Sequence, residues 1–170
     1  MFHLPGQITE LKKFPMFETY KEEVLEDLIR WRCYHSTYKP GEAVPYTGDK
    51  TEFILFLTEG TIETITSVKD GQKVLREQFH GPKLVAPTLP FASDDTKTTV
   101  YITALTVAKI WEIHRDALIS FVCTRHPPTL RKYLRELSDR TQFVAEMLLT
   151  PLDKKLIDSS DVNLPEKEQP

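Results

Sequence analysis

The segment FILFLTEGTIETITSVKDGQKVLREQFH, residues 53–80, contains three runs rich in β-branched and aromatic residues, separated by turns that contain glycine. Such runs, with apolar and polar residues alternating, are typical of strands that have one buried face. Asp70-Gly71 lies between the second and third runs, and glycine tolerates the positive φ that a tight hairpin turn requires. The segment therefore predicts antiparallel strands at Phe53–Thr58, Thr61–Val68 and Lys73–Phe79.

The same rhythm continues on both sides of this segment, from Arg32 to Ile113, and predicts further strands at Thr99–Leu105 and Ala108–Ile113. Short strands with turns at intervals of about eight to twelve residues favour an antiparallel sandwich or barrel. Three prolines within residues 82–90 interrupt the rhythm, and proline cannot donate a hydrogen bond to a sheet. Because their neighbours are apolar, we expect a buried, structured excursion at this point.

Helical periodicity brackets the β-rich region. Residues 17–30 carry apolar side chains on one face with acidic residues between them, which predicts an amphipathic helix. Residues 116–124 predict a second helix, and a third, longer helix follows His126-Pro127-Pro128. In the third helix apolar residues recur at alternating steps of four and three, as in a coiled coil. This stripe consists of Leu130, Leu134, Leu137, Thr141, Val144 and Leu148.

The stripe on the long helix has two interpretations. Charged residues flank it closely, and a narrow stripe suits a coiled-coil seam better than a broad core face. We therefore predict a parallel homodimer through this helix. The alternative is an ordinary amphipathic helix whose apolar side packs on the barrel.

Composition limits the classes of function. The chain has 170 residues, with 22 basic and 25 acidic side chains and a formal net charge of −3, which argues against nucleic-acid binding by this chain alone. The two cysteines form no disulfide framework, so we expect a reducing cytoplasm. The longest apolar stretches are far shorter than the roughly 20 residues of a membrane span, and no signal peptide is expected.

The sequence carries no recognisable catalytic constellation. Metal sites in β-barrels usually need a close pair of histidines and a third ligand, and the five histidines of this chain form no such pair. No nucleophilic triad, phosphate-binding loop or paired-carboxylate site is evident. Cys33 and Cys123 are flanked by apolar residues and are interpreted as buried thiols. We therefore expect no enzyme and no metal site of this kind.

The order of these elements resembles the sensor domain of the Crp/Fnr family of transcription regulators. The resemblance rests on LKKFPMF at 11–17, YKPGE at 38–42, FLTEGTI at 56–62 and WEI at 111–113. It implies a mainly β fold with flanking helices, namely a double-stranded β-helix (jelly roll) of the cyclic-nucleotide-binding type followed by a long C-terminal dimerisation helix.

The resemblance also implies a division of the chain. An N-terminal helical segment spans 1–30, a β-roll sensor domain 31–115, and a hinge helix with the dimerisation helix 116–150. The tail, 151–170, leads towards a helix-turn-helix domain that is expected to be missing from this chain. Whether the chain is a fragment of a regulator or a natural protein without that domain stays open.

The nucleotide-binding motif of this family is altered in the sequence. Cyclic-nucleotide binders carry Phe-Gly-Glu and then Arg-Ser or Arg-Thr, whereas this chain has Leu84-Val85-Ala86 and Thr98-Thr99 at the aligned positions. Losing two charge-assisted contacts costs about 3–6 kcal/mol, or two to four decades of affinity. We therefore expect no cyclic-nucleotide binding. The candidate ligand pocket consists of Leu84, Val85, Ala86, Pro87, Leu89, Phe91, Thr98 and Thr99.

Residues 84–87 and 91–93 resemble, more narrowly, the subgroup that regulates hybrid cluster protein in anaerobic bacteria. Members of that subgroup are associated with haem and with nitric oxide. The resemblance thus implies an apolar pocket and makes haem a candidate cofactor. A histidine or cysteine can supply its axial ligand, and the candidates are His114, Cys123 and His126.

Two classes of function remain. The first is the ligand-sensing and dimerisation module of a Crp/Fnr-like transcription regulator, with a homodimer partner, a small effector of unknown identity, and DNA contact only through the absent domain. The second is a stand-alone small-molecule-binding or cupin-like barrel protein. Neither class requires contact with a membrane.

Overall fold

The computed structural model describes residues 5–30, 32–45, 52–68, 73–91, 98–124 and 127–149. Its helices are α1 (Pro5–Thr9), α2 (Glu22–Ile29), α3 (Arg115–Thr124) and α4 (Pro127–Leu149), with short 3-10 helices at Glu10–Lys13 and Leu89–Phe91. The strands are β1 (Cys33–Tyr38), β2 (Ala43–Val44), β3 (Phe53–Glu59), β4 (Thr61–Val68), β5 (Lys73–His80), β6 (Lys83–Val85), β7 (Thr98–Ala104) and β8 (Ala108–His114).

The strands form two four-stranded antiparallel sheets. The first has the order β1-β8-β3-β6 and the second the order β2-β7-β4-β5. Strands β4 and β5 pair along their whole length, from Thr61 opposite His80 to Val68 opposite Lys73, as the hairpin prediction requires. This arrangement is a jelly roll with flanking helices and a long C-terminal helix, which confirms the predicted fold class.

Gly60 joins the two sheets at the turn between β3 and β4. Its φ is +91°, and a Cβ atom there would lie 2.1 Å from the carbonyl oxygen of Val107. The Gly60 carbonyl also accepts a hydrogen bond from the amide of Gly81 at 2.9 Å. This close approach of three backbone segments leaves no room for a side chain at residue 60.

β3 is buried on both faces, which explains why its sequence is continuously apolar rather than alternating. Ile54 and Phe56 face the helices, whereas Leu55 and Leu57 face the second sheet. On the helix side lies a core, here called the aromatic core, that joins α2, α3 and the first sheet. Its largest members are Phe14, Phe17, Phe56, Trp111, Phe121 and Tyr133.

Between the two sheets lies a second core of aliphatic side chains, here called the aliphatic core. It draws on both sheets and contains Val44, Leu55, Leu57, Ile62, Val85, Val100, Ile102, Ala104, Ala108 and Ile110. The ring of Phe56 meets that of Phe14 edge to face with centroids 5.0 Å apart, whereas no described aromatic residue belongs to the aliphatic core itself. The protein therefore has two hydrophobic cores of different composition, one aromatic and one aliphatic.

Some predicted boundaries were wrong. The helix predicted from residue 17 begins at Glu22. Phe17 lies in a turn before this helix, and its side chain enters the aromatic core. The excursion at 82–91 is structured, as expected, but it contains the short strand β6 and a 3-10 helix. Phe91, at the end of that excursion, is 41% exposed rather than buried.

Within the described ranges, no helix combines the length and the apolar character that a bilayer crossing requires.

Candidate functional site

A cavity of about 280 Å³ lies between the second sheet and α4, at the edge of the aliphatic core, and is here called the α4 cavity. Its floor is one face of the sheet, where the cross-strand pairs bring Leu75, Thr66 and Val100 into one row. Thr66 and Val100 have short side chains, so this part of the floor stays low beneath the helix. The complete lining is Thr64, Thr66, Leu75, Glu77, Phe79, Ala86, Pro87, Thr88, Leu89, Val100, Arg140 and Thr141.

Two charged side chains line the α4 cavity, and they neutralise each other. The guanidinium of Arg140, on α4, donates a hydrogen bond to the carboxylate of Glu77, on β5. The Arg140 and Glu77 side chains are only 26% and 14% exposed. The described lining therefore contains one ion pair and no uncompensated charge, which makes the cavity a poor environment for an ionic guest.

Aromatic rings flank the Arg140 guanidinium. Its central carbon lies 5.7 Å from the ring centroid of Phe79 and 5.4 Å from that of Phe143. Both distances are within the range of cation–π attraction. Arg140 is thus held by an ion pair with the sheet and by two rings, one on β5 and one on α4.

A second groove, of about 330 Å³, adjoins the α4 cavity and shares five lining residues with it: Glu77, Phe79, Ala86, Pro87 and Arg140. Its further charged lining residues are Lys83, Glu136 and Asp139. Acidic side chains therefore outnumber basic ones along the groove. An anion that approached the α4 cavity along this groove would meet an acidic surface.

The loop that walls the cavity is fixed to both C-terminal helices. The buried hydroxyl of Tyr133, on α4, donates a hydrogen bond to the carbonyl of Pro87 at 2.8 Å. Arg115, at the start of α3, donates to the carbonyl of Pro90 at 2.7 Å. Ala86 has a φ of +44°, a left-handed conformation that costs an L-residue about 1–2 kcal/mol. These hydrogen bonds help to hold the loop in its strained form.

The predicted pocket residues divide into three groups. Ala86, Pro87 and Leu89 line the α4 cavity, and Leu84 lines the adjoining groove. Val85 lies instead in the aliphatic core, and Phe91 turns away with its ring 6.0 Å from that of Tyr133, so neither lines the cavity. The backbone of Thr98 and Thr99 is part of β7, but their side chains lie outside the described residues.

Sequence reasoning missed the most polar part of the site. Glu77 and Arg140 come from a strand and a helix separated by 63 positions, and no local pattern pairs them. The alternation of β4, by contrast, places Thr64 and Thr66 on one face. That signal was available, but only the position of α4 shows that this face is the one beneath a helix.

The described pocket does not fit haem. Its lining contains no imidazole, thiol, thioether or phenol group that could ligate iron. His114 is fully buried outside the cavity, where Nδ1 accepts from the Asp116 amide at 3.2 Å and Nε2 therefore donates to Glu52 at 3.2 Å. Both ring nitrogens of His114 are thus engaged by other groups, away from the described lining of the cavity. The side chains of Cys123 and His126 lie outside the described residues, and their role stays a prediction.

Cys33 is a buried thiol, as the sequence predicted. It lies in the aromatic core, and burial raises its pKa to about 12. A thiol with so high a pKa stays protonated at neutral pH, and thiolate chemistry is suppressed. Cys33 therefore contributes to packing rather than to redox reactions.

The face of α4 that contacts the roll overlaps the predicted stripe only in part. Thr129 and Tyr133 are buried, and Arg140 reaches the cavity. These residues are spaced by one and then two helical turns, so they share one face of α4, and this face lies on the roll. Leu130 and Leu137, at its border, pack against the aromatic core. Leu134 is 53% exposed, and the side chains of Val144 and Leu148 lie outside the described residues.

Comparison with known families gives one match, which covers more than half of the chain. The profile described as "Cyclic nucleotide-binding domain" matches residues 35–125. No curated protein sequence matches the chain.

Several solved structures share the fold. The sensor domain of the transcriptional regulator DNR from Pseudomonas aeruginosa is 18% identical, with a TM-score of 0.63 over 86% of this chain and 95% of that chain. A transcriptional regulator from Thermotoga maritima is 24% identical, with a TM-score of 0.55 over 68% of this chain and 88% of that chain. The N-terminal domain of a transcriptional regulator from Streptomyces coelicolor A3(2) is 21% identical, with a TM-score of 0.53 over 86% and 99%.

Proposed function

The chain belongs to the cyclic nucleotide-binding domain family, and from this membership we infer that it is the ligand-sensing and dimerisation module of a Crp/Fnr-like transcription regulator. In this proposal residues 31–115 form the sensor roll, and residues 116–150 carry the hinge and the dimerisation helix. DNA would be read by a helix-turn-helix domain. The net charge of −3 supports a division of labour in which this part of the regulator binds the effector.

The α4 cavity is the observation that carries the proposal. A ligand in it would touch the sheet, the strained loop at Ala86, and Thr141 on α4 at the same time. Binding energy that depends on the position of α4 shifts the population of α4 positions. A cavity roofed by the dimerisation helix is therefore well placed to convert ligand binding into a change at the dimer interface.

The chemistry of the lining supports a small, uncharged, mainly apolar effector rather than a cyclic nucleotide. A cyclic phosphate would leave water for a cavity whose cation, Arg140, is already paired with Glu77. Burying an ion without a partner is unfavourable by several kcal/mol. The threonine hydroxyls of the lining can hydrogen bond to a neutral polar group on the ligand.

The experiment uses naphthalene-2-carboxamide, a neutral aromatic probe, together with cyclic AMP and cyclic GMP, each titrated by calorimetry. We expect the amide to bind in the micromolar to millimolar range and the nucleotides to give no measurable heat. Leu75→Trp, which fills the floor of the cavity, should abolish amide binding. Arg76→Trp places the same side chain at the next, exposed position of β5 and should leave binding unchanged.

Two results would contradict this assignment. One is micromolar binding of either cyclic nucleotide. The other is an amide that fails to bind, or that binds equally well to the Leu75→Trp protein.

Dimerisation through α4 is the second part of the proposal, and the exposed side of the helix supports it. Leu134 faces away from the roll and leaves half of its apolar side chain in water. A second copy of the helix would cover this side chain. Leu137 is less suitable for a test because it also packs against the aromatic core.

Sedimentation equilibrium of Leu134→Glu against wild type tests the dimer. We expect the wild-type chain to dimerise at tens of micromolar and the variant to be monomeric, because two carboxylates would be desolvated against each other. Arg135→Glu, at the neighbouring exposed position, is the control and should still dimerise. A monomeric wild-type protein, or a Leu134→Glu protein that still dimerises, would contradict dimerisation through the stripe on α4.

A further inference from the structure

We propose that Glu77 determines the ligand specificity of the α4 cavity: it is a built-in counter-ion that occupies the anion-binding position on Arg140 and thereby reserves the cavity for uncharged ligands. This inference rests on the proposed ligand-binding role of the cavity. It assigns to one side chain on β5 the choice between neutral and anionic effectors.

Arg140 has the properties of an anion-binding residue. Its guanidinium presents a planar set of donors that matches a carboxylate or a phosphate. The rings of Phe79 and Phe143 lie within 6 Å and hold it at the mouth of the cavity. The anion bound there is the carboxylate of Glu77, which the chain itself supplies.

Glu77 is hard to displace because the sheet holds it. Its backbone is paired with Thr64 in the middle of the β4–β5 ladder, so its carboxylate is present at Arg140 at a high effective concentration. A ligand anion would have to expel this carboxylate and leave it 14% exposed without a cation. Breaking a largely buried ion pair in this way is strongly unfavourable.

The other charged residues near the cavity also disfavour a ligand anion. Lys83 lines only the adjoining groove, where Glu136 and Asp139 accompany it. In the described lining of the α4 cavity, Arg140 is the one cation. Removing the charge of Glu77 should therefore be enough to turn Arg140 into an open anion site.

The test compares two probes that share a shape and differ in charge, naphthalene-2-carboxamide and naphthalene-2-carboxylate. Both are titrated by calorimetry into wild type, Glu77→Gln and the double variant Glu77→Gln/Arg140→Gln. Glutamine keeps the size of Glu77 and its ability to accept a hydrogen bond, but not its charge. Glu63→Gln removes a partly exposed carboxylate of β4 that is paired with Arg76, and it serves as the control.

We expect wild type to prefer the amide by at least about tenfold, the difference that corresponds to roughly 1.4 kcal/mol. In Glu77→Gln the carboxylate should gain at least about tenfold in affinity, while the amide changes by less than about threefold. The double variant should lose this gain, and Glu63→Gln should behave as wild type.

The reciprocal variant tests the same idea without altering Glu77. Arg140→Gln leaves the Glu77 carboxylate unpaired, so the cationic probe 2-naphthylmethylamine should gain at least about tenfold over its affinity for wild type. This variant also decides the matter if Glu77→Gln does not fold, as judged by circular dichroism.

The outcomes separate the two proposals. If wild type binds neither the amide nor the carboxylate, the ligand-binding function itself is overturned. If wild type binds the amide but neither Glu77→Gln nor Arg140→Gln changes the preference for charge, the function stands and the role of Glu77 is overturned.

Discussion

The aromatic core and the α4 cavity are both places where helices cover a sheet, yet one is filled and the other is open. In the aromatic core, large rings such as Phe56 and Trp111 are fully buried and meet other rings edge to face or tilted. Beneath α4 about 280 Å³ stays unfilled above the short side chains of Thr64, Thr66 and Val100, although larger side chains such as Leu75 and Phe79 line the same cavity. Short side chains at the centre of the covered face therefore help to leave a cavity beneath the helix.

The comparison also suggests why the open side is tolerated. Close packing of large apolar groups supplies most of the stability of a domain. The aromatic core spans the first sheet, α2, α3 and the start of α4, so it anchors the base of the helix that roofs the cavity. The stably packed aromatic core thus holds in place the helix that covers the open α4 cavity.

The largest expected effect is on the packed side. Phe56→Ala removes a fully buried ring from the aromatic core and should lower the free energy of unfolding by about 3–5 kcal/mol. Leu75→Ala, in the cavity floor, should cost less than about 1.5 kcal/mol because the space beside it is already open. Urea denaturation of both variants measures the difference, and equal losses would break the distinction between the two regions.

Gly60→Ala attacks the turn that both regions share. The positive φ disfavours alanine, and its Cβ would meet the carbonyl of Val107, so we expect a loss of about 2–3 kcal/mol. Gly41→Ala is the matched comparison, because Gly41 also has a positive φ, +84°, but a Cβ atom there would meet nothing within 4 Å. If the two variants are equally destabilised in thermal unfolding, the close approach at residue 60 has no energetic importance.

Tyr133→Phe tests how firmly the roof is attached to the cavity wall. It removes the hydroxyl that donates to the Pro87 carbonyl and leaves a buried acceptor unpaired, which should cost about 1–2 kcal/mol. Amide hydrogen exchange should also accelerate at residues 86–89, while the aromatic core keeps its protection. Unchanged exchange in that loop would mean that α4 does not hold it.

The smallest effect is electrostatic and lies at the rim of the packed side. A hydrogen bond from His114, helped by the charges of Arg32 and Arg115, lowers the pKa of Glu52. The folded pKa is therefore below the unfolded one, so the stabilisation is present above the ordinary glutamate pKa, about 4.3, and is lost as the pH falls through the folded pKa.

The check is the unfolding free energy of wild type and Glu52→Gln between neutral and acidic pH. Their difference should be constant near neutrality and should shrink in acid. A difference that grows as the pH falls would mean that the folded pKa of Glu52 is raised instead.

Much of the fold follows from local features of the sequence. The Gly60 turn, the β4–β5 hairpin and the apolar run of β3 are each specified by neighbouring residues, and the structure confirms all three. The site is different, because the Arg140–Glu77 pair depends on where α4 crosses the sheet. At the start of α4, Tyr133 and Thr129 are buried, and their polar groups gave no sign of this in the sequence.

The order of the strands in the first sheet has a consequence for how the chain folds as it is synthesised. β1 pairs only with β8 in the described structure, with Cys33 opposite Ile113, and β8 is also a partner of β3. β8, which joins β1 to the rest of the first sheet, is therefore the last strand of that sheet to leave the ribosome.

Until residue 114 has emerged, β1 has no hydrogen-bonding partner in the first sheet, and the face of β3 that later contacts β8 stays unpaired. Contacts between residues so distant in sequence form slowly, and unpaired apolar strands are prone to aggregate. During translation the first sheet therefore cannot be completed until β8 has been synthesised. The nascent chain is exposed to aggregation in the time between the synthesis of β1 and that of β8.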